Sequence, residues 1–277
     1  MKTALLTALV AAWVHFNLQA QWTKTDGPEG AEIKALTRNN AYLFVATNGG
    51  GVYRTANSGT TWEEANIGLT NKRVFALVVS NDTLYAGTQG SGVFRSINNG
   101  ATWIEINNGF EGMDVNSLLV KDGMLYAGVY EGGIKSLGGV HRYNSQTNQW
   151  ENISTNLPEN FSVETMVVHN NAIYVGSLFG GSDAGGEKQP EGISVKRKHV
   201  RGEIFTFFRT TNDGATWEDL TSSLQYPFIR TLYSGGDALL LGTDAGGLFR
   251  STDSGATWQS LNTLPIWNFS PSRRLSA

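Results

Sequence analysis

Ser251, Asp253 and Trp258 fall within one octapeptide, STDSGATW, at residues 251–258. A hydroxyl, a carboxylate and an indole this close together are the parts of a nucleophilic site, or of a platform on which a sugar ring stacks. The same residues also make a tight turn, because Asp accepts hydrogen bonds from N–H groups of its own turn and Gly takes positive φ. Repetition separates the two readings. TANSGTTW stands at 55–62, SINNGATW at 96–103 and TTNDGATW at 210–217, while YNSQTNQW at 143–150 keeps only the spacing and the Trp. An active site needs its catalytic groups once, so four good copies and one worn copy mark architecture. In that role the third-position oxygen (Asn57, Asn98, Asn212, Asp253) caps the turn and the glycine (Gly59, Gly100, Gly214, Gly255) turns it. The indole (Trp62, Trp103, Trp150, Trp217, Trp258) opens the outer strand. Three of the four good copies carry Asn at the third position, which an acid–base or metal role tolerates less easily than a turn cap does.

The elements that hold these turns follow from the stretch VFALVVSNDTLYAGTQGSGVFRSINNGATWIEI at 74–106, four short apolar runs divided by turn residues. Val74–Val79 is apolar almost throughout, as suits a strand buried on both faces. Comparable units begin near Glu32, Lys72, Asp114, Phe161 and Phe228, with second strands YLFVAT, TLYAGT, MLYAGV, AIYVGS and ALLLGT. Successive tryptophans are 41, 47, 67 and 41 residues apart, so the period is 41 with insertions of six and twenty-six. A four-stranded unit of about 40 residues predicts an all-β chain, a β-propeller of four-stranded blades. The blades fall near 32–66, 72–108, 114–154, 161–221 and 228–261.

The octapeptides resemble Asp-boxes, also called BNR repeats, which recur in sialidases, sortilin-type receptors, large endoglucanases and a photosystem assembly factor. The resemblance covers nearly the whole of residues 21–277 and implies the blade type, with each box at the turn between third and fourth strands. It does not supply an activity. Arg54, Arg95, Arg142, Arg209 and Arg250 stand in the same place at each box. A sialidase grips its substrate's carboxylate with arginines, but these five belong to the repeat and lie on the box side, so inter-blade ion pairing or stem packing is expected of them. FIRTLY at 228–233 only faintly resembles that family's arginine motif.

If the boxes mark one face, the opposite face carries the second-to-third loops and the inter-blade loops, where function usually sits. These loops are minimal in blades one, two and five but long in blade three (YEGGIKSLGG, 130–139) and blade four (179–202). The two insertions are neighbours. They predict a ligand site walled by Tyr130, Glu131, Lys135, Phe179 and Asp183, by the basic cluster Lys196, Arg197, His199 and Arg201, and by Tyr226 and Phe228 of the next loop. Hydrolysis of a glycoside needs two facing carboxylates. Glu131, Asp183, Glu187 and Asp244 are placed for it, but none differs from an ordinary loop acid, and no catalytic residue is assigned. With four scattered His and no Cys there is no metal-ligand spacing, and no cofactor is expected.

Residues 1–20, MKTALLTALVAAWVHFNLQA, read as a signal peptide: Lys2, an apolar run from Ala4 to Phe16, and a small residue at Ala20. The absence of Cys is compatible with export for a domain with a core this large, and excludes a lipoprotein anchor. A net charge of −3 gives no sign of nucleic acid as a partner. At the ends, Gln21–Trp22 resembles a fourth strand and LPIWNFS at 264–270 a first strand, so 264–277 is expected to begin a sixth blade and leave it incomplete. The expected function is that of a secreted, cell-surface or periplasmic propeller without catalysis and without a transmembrane segment in its mature chain. It binds or scaffolds a polysaccharide or an extracellular or periplasmic protein on the face opposite the boxes. The alternative is a glycoside hydrolase or sialidase-like enzyme, inactive if truncated.

Overall fold

The structure, a computed structural model, describes residues 27–28, 32–110, 114–130, 138–158, 161–180, 206–224, 229–243 and 246–262, without the side chains of 178–180. Among these residues twenty strands form five separate four-stranded antiparallel sheets, the blades of a five-bladed β-propeller. Blade one is β1 (Ile33–Arg38), β2 (Leu43–Thr47), β3 (Gly51–Thr55) and β4 (Glu63–Glu64); blade two is β5 (Val74–Ser80), β6 (Thr83–Thr88), β7 (Val93–Ser96) and β8 (Ile104–Glu105). Blade three is β9 (Val115–Lys121), β10 (Met124–Val129), β11 (Gly139–Asn144) and β12 (Gln149–Asn152). Blade four is β13 (Phe161–His169), β14 (Ala172–Gly180), β15 (Phe207–Thr210) and β16 (Glu218–Asp219), followed by a 3-10 turn at Thr221–Ser223. Blade five is β17 (Ile229–Gly235), β18 (Ala238–Thr243), β19 (Leu248–Ser251) and β20 (Gln259–Ser260). Among the described residues there is no sixth blade; residues 21–22 and 264–277, expected to contribute to one, lie outside them, as does the predicted signal peptide at 1–20. Among the described residues no helix is long and apolar enough to cross a membrane.

Local chemistry sets the turns. The first hairpins of blades two, three and four turn on Asn81–Asp82, Asp122–Gly123 and Asn170–Asn171, with both central φ angles positive, the two-residue geometry that matches strand twist. At each good box the first-position hydroxyl (Thr55, Ser96, Thr210, Ser251) donates to the third-position oxygen at 2.8–2.9 Å. The same hydroxyl accepts from the glycine N–H at 2.8–3.1 Å. The third-position oxygen also accepts the N–H of the seventh residue at 2.9 Å. Asn and Asp interchange because the seventh-position threonine hydroxyl reverses its role: it accepts from the amide of Asn57, Asn98 or Asn212 and donates to Asp253. Those hydrogen bonds, Thr257 foremost, pull the Asp253 carboxyl down to about 2.

Each box also closes a seam between blades. The indole N–H donates back to the preceding blade: Trp103 to the Ala65 carbonyl at 2.7 Å, Trp150 to Ile106 at 2.6 Å, Trp217 to Ile153 at 2.8 Å and Trp258 to the Ser223 hydroxyl at 3.2 Å. From the other side, Arg54, Arg142 and Arg209 donate forward to the fourth-position carbonyl of the next box, those of Asn99, Asp213 and Ser254. Each of these arginines is held by a glutamate of its own blade, Glu63, Glu151 or Glu218. Arg54, Arg142 and Arg209 thus pair within the blade and hydrogen-bond between blades; of the two roles expected of the repeated arginines, ion pairing between blades is not found for them, while Arg54 packs 4.7 Å from the centre of the Tyr42 ring. At the third seam Lys121 adds an ion bridge to Asp122 and Asp213 at 2.7 and 2.8 Å, and both acids push its pKa up.

The apolar core lies between blades rather than within them. Four clusters fill the four seams from blade one to blade five, centred on Phe44 with Trp103, Phe110 with Trp150, Phe161 with Trp217, and Tyr174 with Phe249. The seam between blades five and one differs. Leu248 is 41% exposed where its equivalents Val52, Val93, Val140 and Phe207 are wholly buried, and Leu36 is 61% exposed where Leu77, Met166 and Leu232 are 7–8% exposed. The indole N–H of Trp62 is shielded without a hydrogen-bond partner, and Arg250 pairs only with Asp237 of its own blade among the described residues.

Close approach of the inner strands requires glycine in β10. A methyl on Gly128 would stand 2.4 Å from Val163 Cγ1 and 2.9 Å from its Cβ. Gly128→Ala is therefore expected to cost about 2 kcal/mol, the usual scale of overpacking. Val163→Ala in the same chain should return part of that loss, and urea denaturation of the two single variants and the double checks the coupling.

Candidate functional site

The antiparallel order puts the first hairpins and the boxes at one end of every blade, and the second-to-third turns and inter-blade connections at the other. At that second end all five inner strands share an irregularity. Register against the second strand slips by one residue at Lys34, Phe75, Asn116, Glu164 and Arg230, the second residue of β1, β5, β9 and β17 and the fourth of β13. A bulge of this kind frees one residue from the ladder and re-aims its side chain.

These five side chains converge. Lys34 Nζ sits 4.7 Å from the centre of the Phe75 ring, a cation–π distance. Glu164 pairs with Arg230 at 3.6 Å, hydrogen-bonds Asn116 and feels the charge of Lys34. Blades one and four are not neighbours in the ring, so Lys34 and Glu164 come together only around the central axis. The mouth of the channel is thus ringed by two cations, one acid, one amide and one aromatic ring. Burial pushes the Glu164 carboxyl above the usual range, and the charge of Arg230 pulls it partly back. Asp114, at the start of blade three, is also raised by burial, with Arg73 opposing. Glu32, by contrast, is lowered by hydrogen bonds from Lys34 at 2.6 Å and Asn48 at 3.0 Å.

Tyr130, of the predicted ligand residues, lies at this end, its N–H bonded to the Asp114 carbonyl at 2.8 Å. Phe179 falls in β14, its side chain outside the described residues, and Glu131, Lys135, Asp183, Lys196, Arg197, His199, Arg201, Tyr226 and Phe228 also lie outside them. The same holds for the loop acids Glu187 and Asp244. The ring residues were not singled out from sequence. Their signal was a column of the repeat, one place after Ile33, Val74, Val115, Val163 and Ile229, where chemistry changes from blade to blade while its neighbours stay apolar. Among the described residues no group of His, Asp and Glu is arranged to hold a metal.

Fold and mouth together define a five-bladed propeller whose axial opening is lined by bulge residues on its loop face. No protein-family model and no curated protein matches the chain. Solved structures resemble it in fold. The extracellular domain of the putative one-component system BT4673 from B. thetaiotaomicron is 18% identical at a TM-score of 0.60, over 86% of this chain and 29% of that one. The GH74 enzyme of Niastella koreensis is 20% identical with a TM-score of 0.56, over 79% and 36%. YCF48 bound to D1 peptide is 10% identical with a TM-score of 0.57, over 83% and 66%. The chain spans about a third of the length of the first two and just under two thirds of the third.

Proposed function

We propose that this chain is a secreted Asp-box propeller that binds or scaffolds a polysaccharide or an extracellular protein at the channel mouth, without catalysis. The observation that carries this is the set Lys34, Phe75, Asn116, Glu164 and Arg230: one bulge position, repeated five times at the same end of the blades, presents five side chains of differing chemistry that are linked to one another. A purely structural position would be expected to repeat its chemistry, as the box does. By their place in the sequence the insertions of blades three and four leave from the same end of the blades, the first of them after Tyr130. Similar folds in a peptide complex and in an extracellular domain support the class of role. The exposed flanks of the seam between blades five and one, with Trp62 and Arg250 lacking the bonds of their equivalents, support a place for a sixth blade there.

A glycoside-hydrolase reading draws on one observation: burial raises Glu164 at the mouth, and Asp114 at the start of blade three on the same end, as an acid catalyst needs. The ion pair from Arg230 to Glu164 favours binding over proton donation. Glycan and peptide arrays probed with the parent protein, with Phe75→Ala and with residues 182–200 deleted test the proposal. Loss of binding of at least tenfold in Phe75→Ala is expected. Binding untouched by both changes would remove the mouth as the site, and turnover of a glycoside that disappears in Glu164→Gln would replace binding by hydrolysis.

A further inference from the structure

On the box face the seam between blades two and three breaks the repeat. Ile104 stands across from Arg95 where the sibling arginines meet a glutamate, and the box that should close the seam is the worn copy. There Tyr143 replaces the first-position hydroxyl residue and bonds Asn148, while the Asn144 Oδ1 caps Gln146 and Thr147. Only Asn148 of that turn has positive φ, so the left-handed pair at the fourth and fifth positions of the other boxes is absent. The consequence falls on Tyr85 in β6. Its equivalents in the three seams closed by a good box, Phe44, Tyr126 and Tyr174, are wholly buried, whereas Tyr85 keeps part of its surface exposed. The seam between blades four and five shows what a covered tyrosine does there. Tyr174 donates its hydroxyl to the Ser254 carbonyl at 3.0 Å, and a methyl on Gly255 would stand 3.6 Å from its ring. An oxygen acceptor and a C–H surface thus fill that corner. Among the described residues the Tyr85 hydroxyl has no such acceptor.

Tyr85 instead lines a cleft of about 450 Å³, within the ~300–1,000 Å³ of small-ligand sites. Met124 and Leu125 give it apolar surface, and the worn turn contributes Asn144, Ser145 and Gln146. The two charged groups in its lining, Arg142 and Glu151, already pair at 2.7 Å, so the cleft offers a ligand no net charge. What it offers is an aromatic ring beside uncharged polar groups: the Tyr85 and Ser145 hydroxyls, the Gln146 amide and the Asn144 Nδ2, whose Oδ1 is spent on the turn. We infer that this cleft binds a neutral saccharide unit, one sugar ring lying on Tyr85 with its hydroxyls on the worn turn. A sugar combines what the corner lacks, C–H groups that pack on an aromatic face and oxygens that accept from the phenol. Its further hydroxyls suit amides and hydroxyls, where a peptide turn would bring a carbonyl to Tyr85 and little for the rest. This site is on the face opposite the channel mouth and stands independently of the function proposed for the mouth.

Full-length protein with isotope-labelled tyrosine rings is titrated with maltose, cellobiose, lactose and diacetylchitobiose up to about 20 mM, ample for a millimolar Kd. At least one of these neutral disaccharides is expected to move saturably the ring signal that is missing in Tyr85→Phe. Saturation-transfer NMR on the sugar then gives its affinity for each variant. Tyr85→Ala should weaken it by about tenfold or more, since ring and hydroxyl are both lost. Tyr85→Phe keeps the ring and should weaken it about fivefold, the scale of one net hydrogen bond. Gln146→Ala, on the exposed turn, should weaken it without moving Tm, so that the test survives any loss of stability at Tyr85. Affinity should be the same at ~50 and ~500 mM salt, because a neutral ligand leaves nothing to screen. Phe75→Ala at the mouth should leave it untouched, which separates failure of this site from failure of that one. The inference is overturned if no disaccharide moves the Tyr85 signal, or if Tyr85→Ala and Gln146→Ala bind as tightly as the parent. It is also overturned if a blocked Asn-Asp-Gly-Ala peptide, the turn that closes the seam between blades three and four, moves that signal where the sugars do not.

Discussion

Replacing His141 by phenylalanine is expected to make the protein more stable by about 2 kcal/mol at pH 5 and by about 3 kcal/mol at pH 4, with a much smaller change at pH 8. His141 lies in β11 at 1% exposure, its ring edge-on to Phe110 at 5.1 Å, and neither ring nitrogen has a hydrogen-bond partner. Burial alone lowers its pKa from 6.5 to about 4. A base whose folded pKa is depressed is neutral in the native protein while the unfolded chain takes up a proton. Stability is therefore complete above pH 6.5 and falls as the pH drops from 6.5 to 4, where the unfolded state binds more protons. Phenylalanine removes that proton uptake. The same position holds Tyr53, Phe94, Phe208 and Phe249 in the other four blades, so a six-membered ring suits the blade. Urea melts of parent and His141→Phe between pH 4 and 8 measure the difference. Parallel pH profiles would mean that the imidazole finds a proton-accepting partner in solution.

What the sequence revealed and what it hid follow the range of the interactions. The boxes were legible because each rests on residues within eight positions, and the four-strand blade because those boxes and the apolar runs between them recur at a period of 41. The partner of the repeated arginine was half visible: Arg54 and Glu63, Arg142 and Glu151, and Arg209 and Glu218 keep one spacing, and Ile104 breaks it, but the neighbouring carbonyl depends on how blades dock. The bond from each Trp to the preceding blade had no sequence signal either, since Ala65, Ile106 and Ile153 accept with their backbones. The channel ring escaped for the opposite reason. Sequence repeats draw attention to positions that stay the same, whereas Lys34, Phe75, Asn116, Glu164 and Arg230 share a backbone bulge and no chemistry. Loop length drew attention to 130–139 and 179–202 instead, and most of their candidate residues lie outside the described ones.

Tryptophan-to-phenylalanine exchanges at the boxes should divide the seams into two kinds. Trp103 is 3% exposed and its N–H is fully engaged with Ala65. Trp103→Phe strands that buried carbonyl and should cost about 2 kcal/mol, while Trp103→Ala also opens a cavity and should cost about 4 kcal/mol. Trp217→Phe should behave like Trp103→Phe, because its bond to the Ile153 carbonyl, at 2.8 Å, is within 0.1 Å of that of Trp103 and its ring is likewise buried. Trp62→Phe should cost under about 0.5 kcal/mol, since its N–H is shielded and has no partner to lose, and removal of an unsatisfied donor offsets the smaller ring. The contrast, read from denaturant midpoints at constant m, measures whether the seam between blades five and one is closed in solution. Equal losses at Trp62 and Trp103 would show that Trp62 donates to a blade edge after all, and the exposed Leu36 and Leu248 would then have to be covered by the same contact. Unequal losses leave that seam open, with its apolar flanks and the unpartnered Trp62 N–H matched in kind to what a neighbouring blade presents to the indoles of Trp103, Trp150 and Trp217.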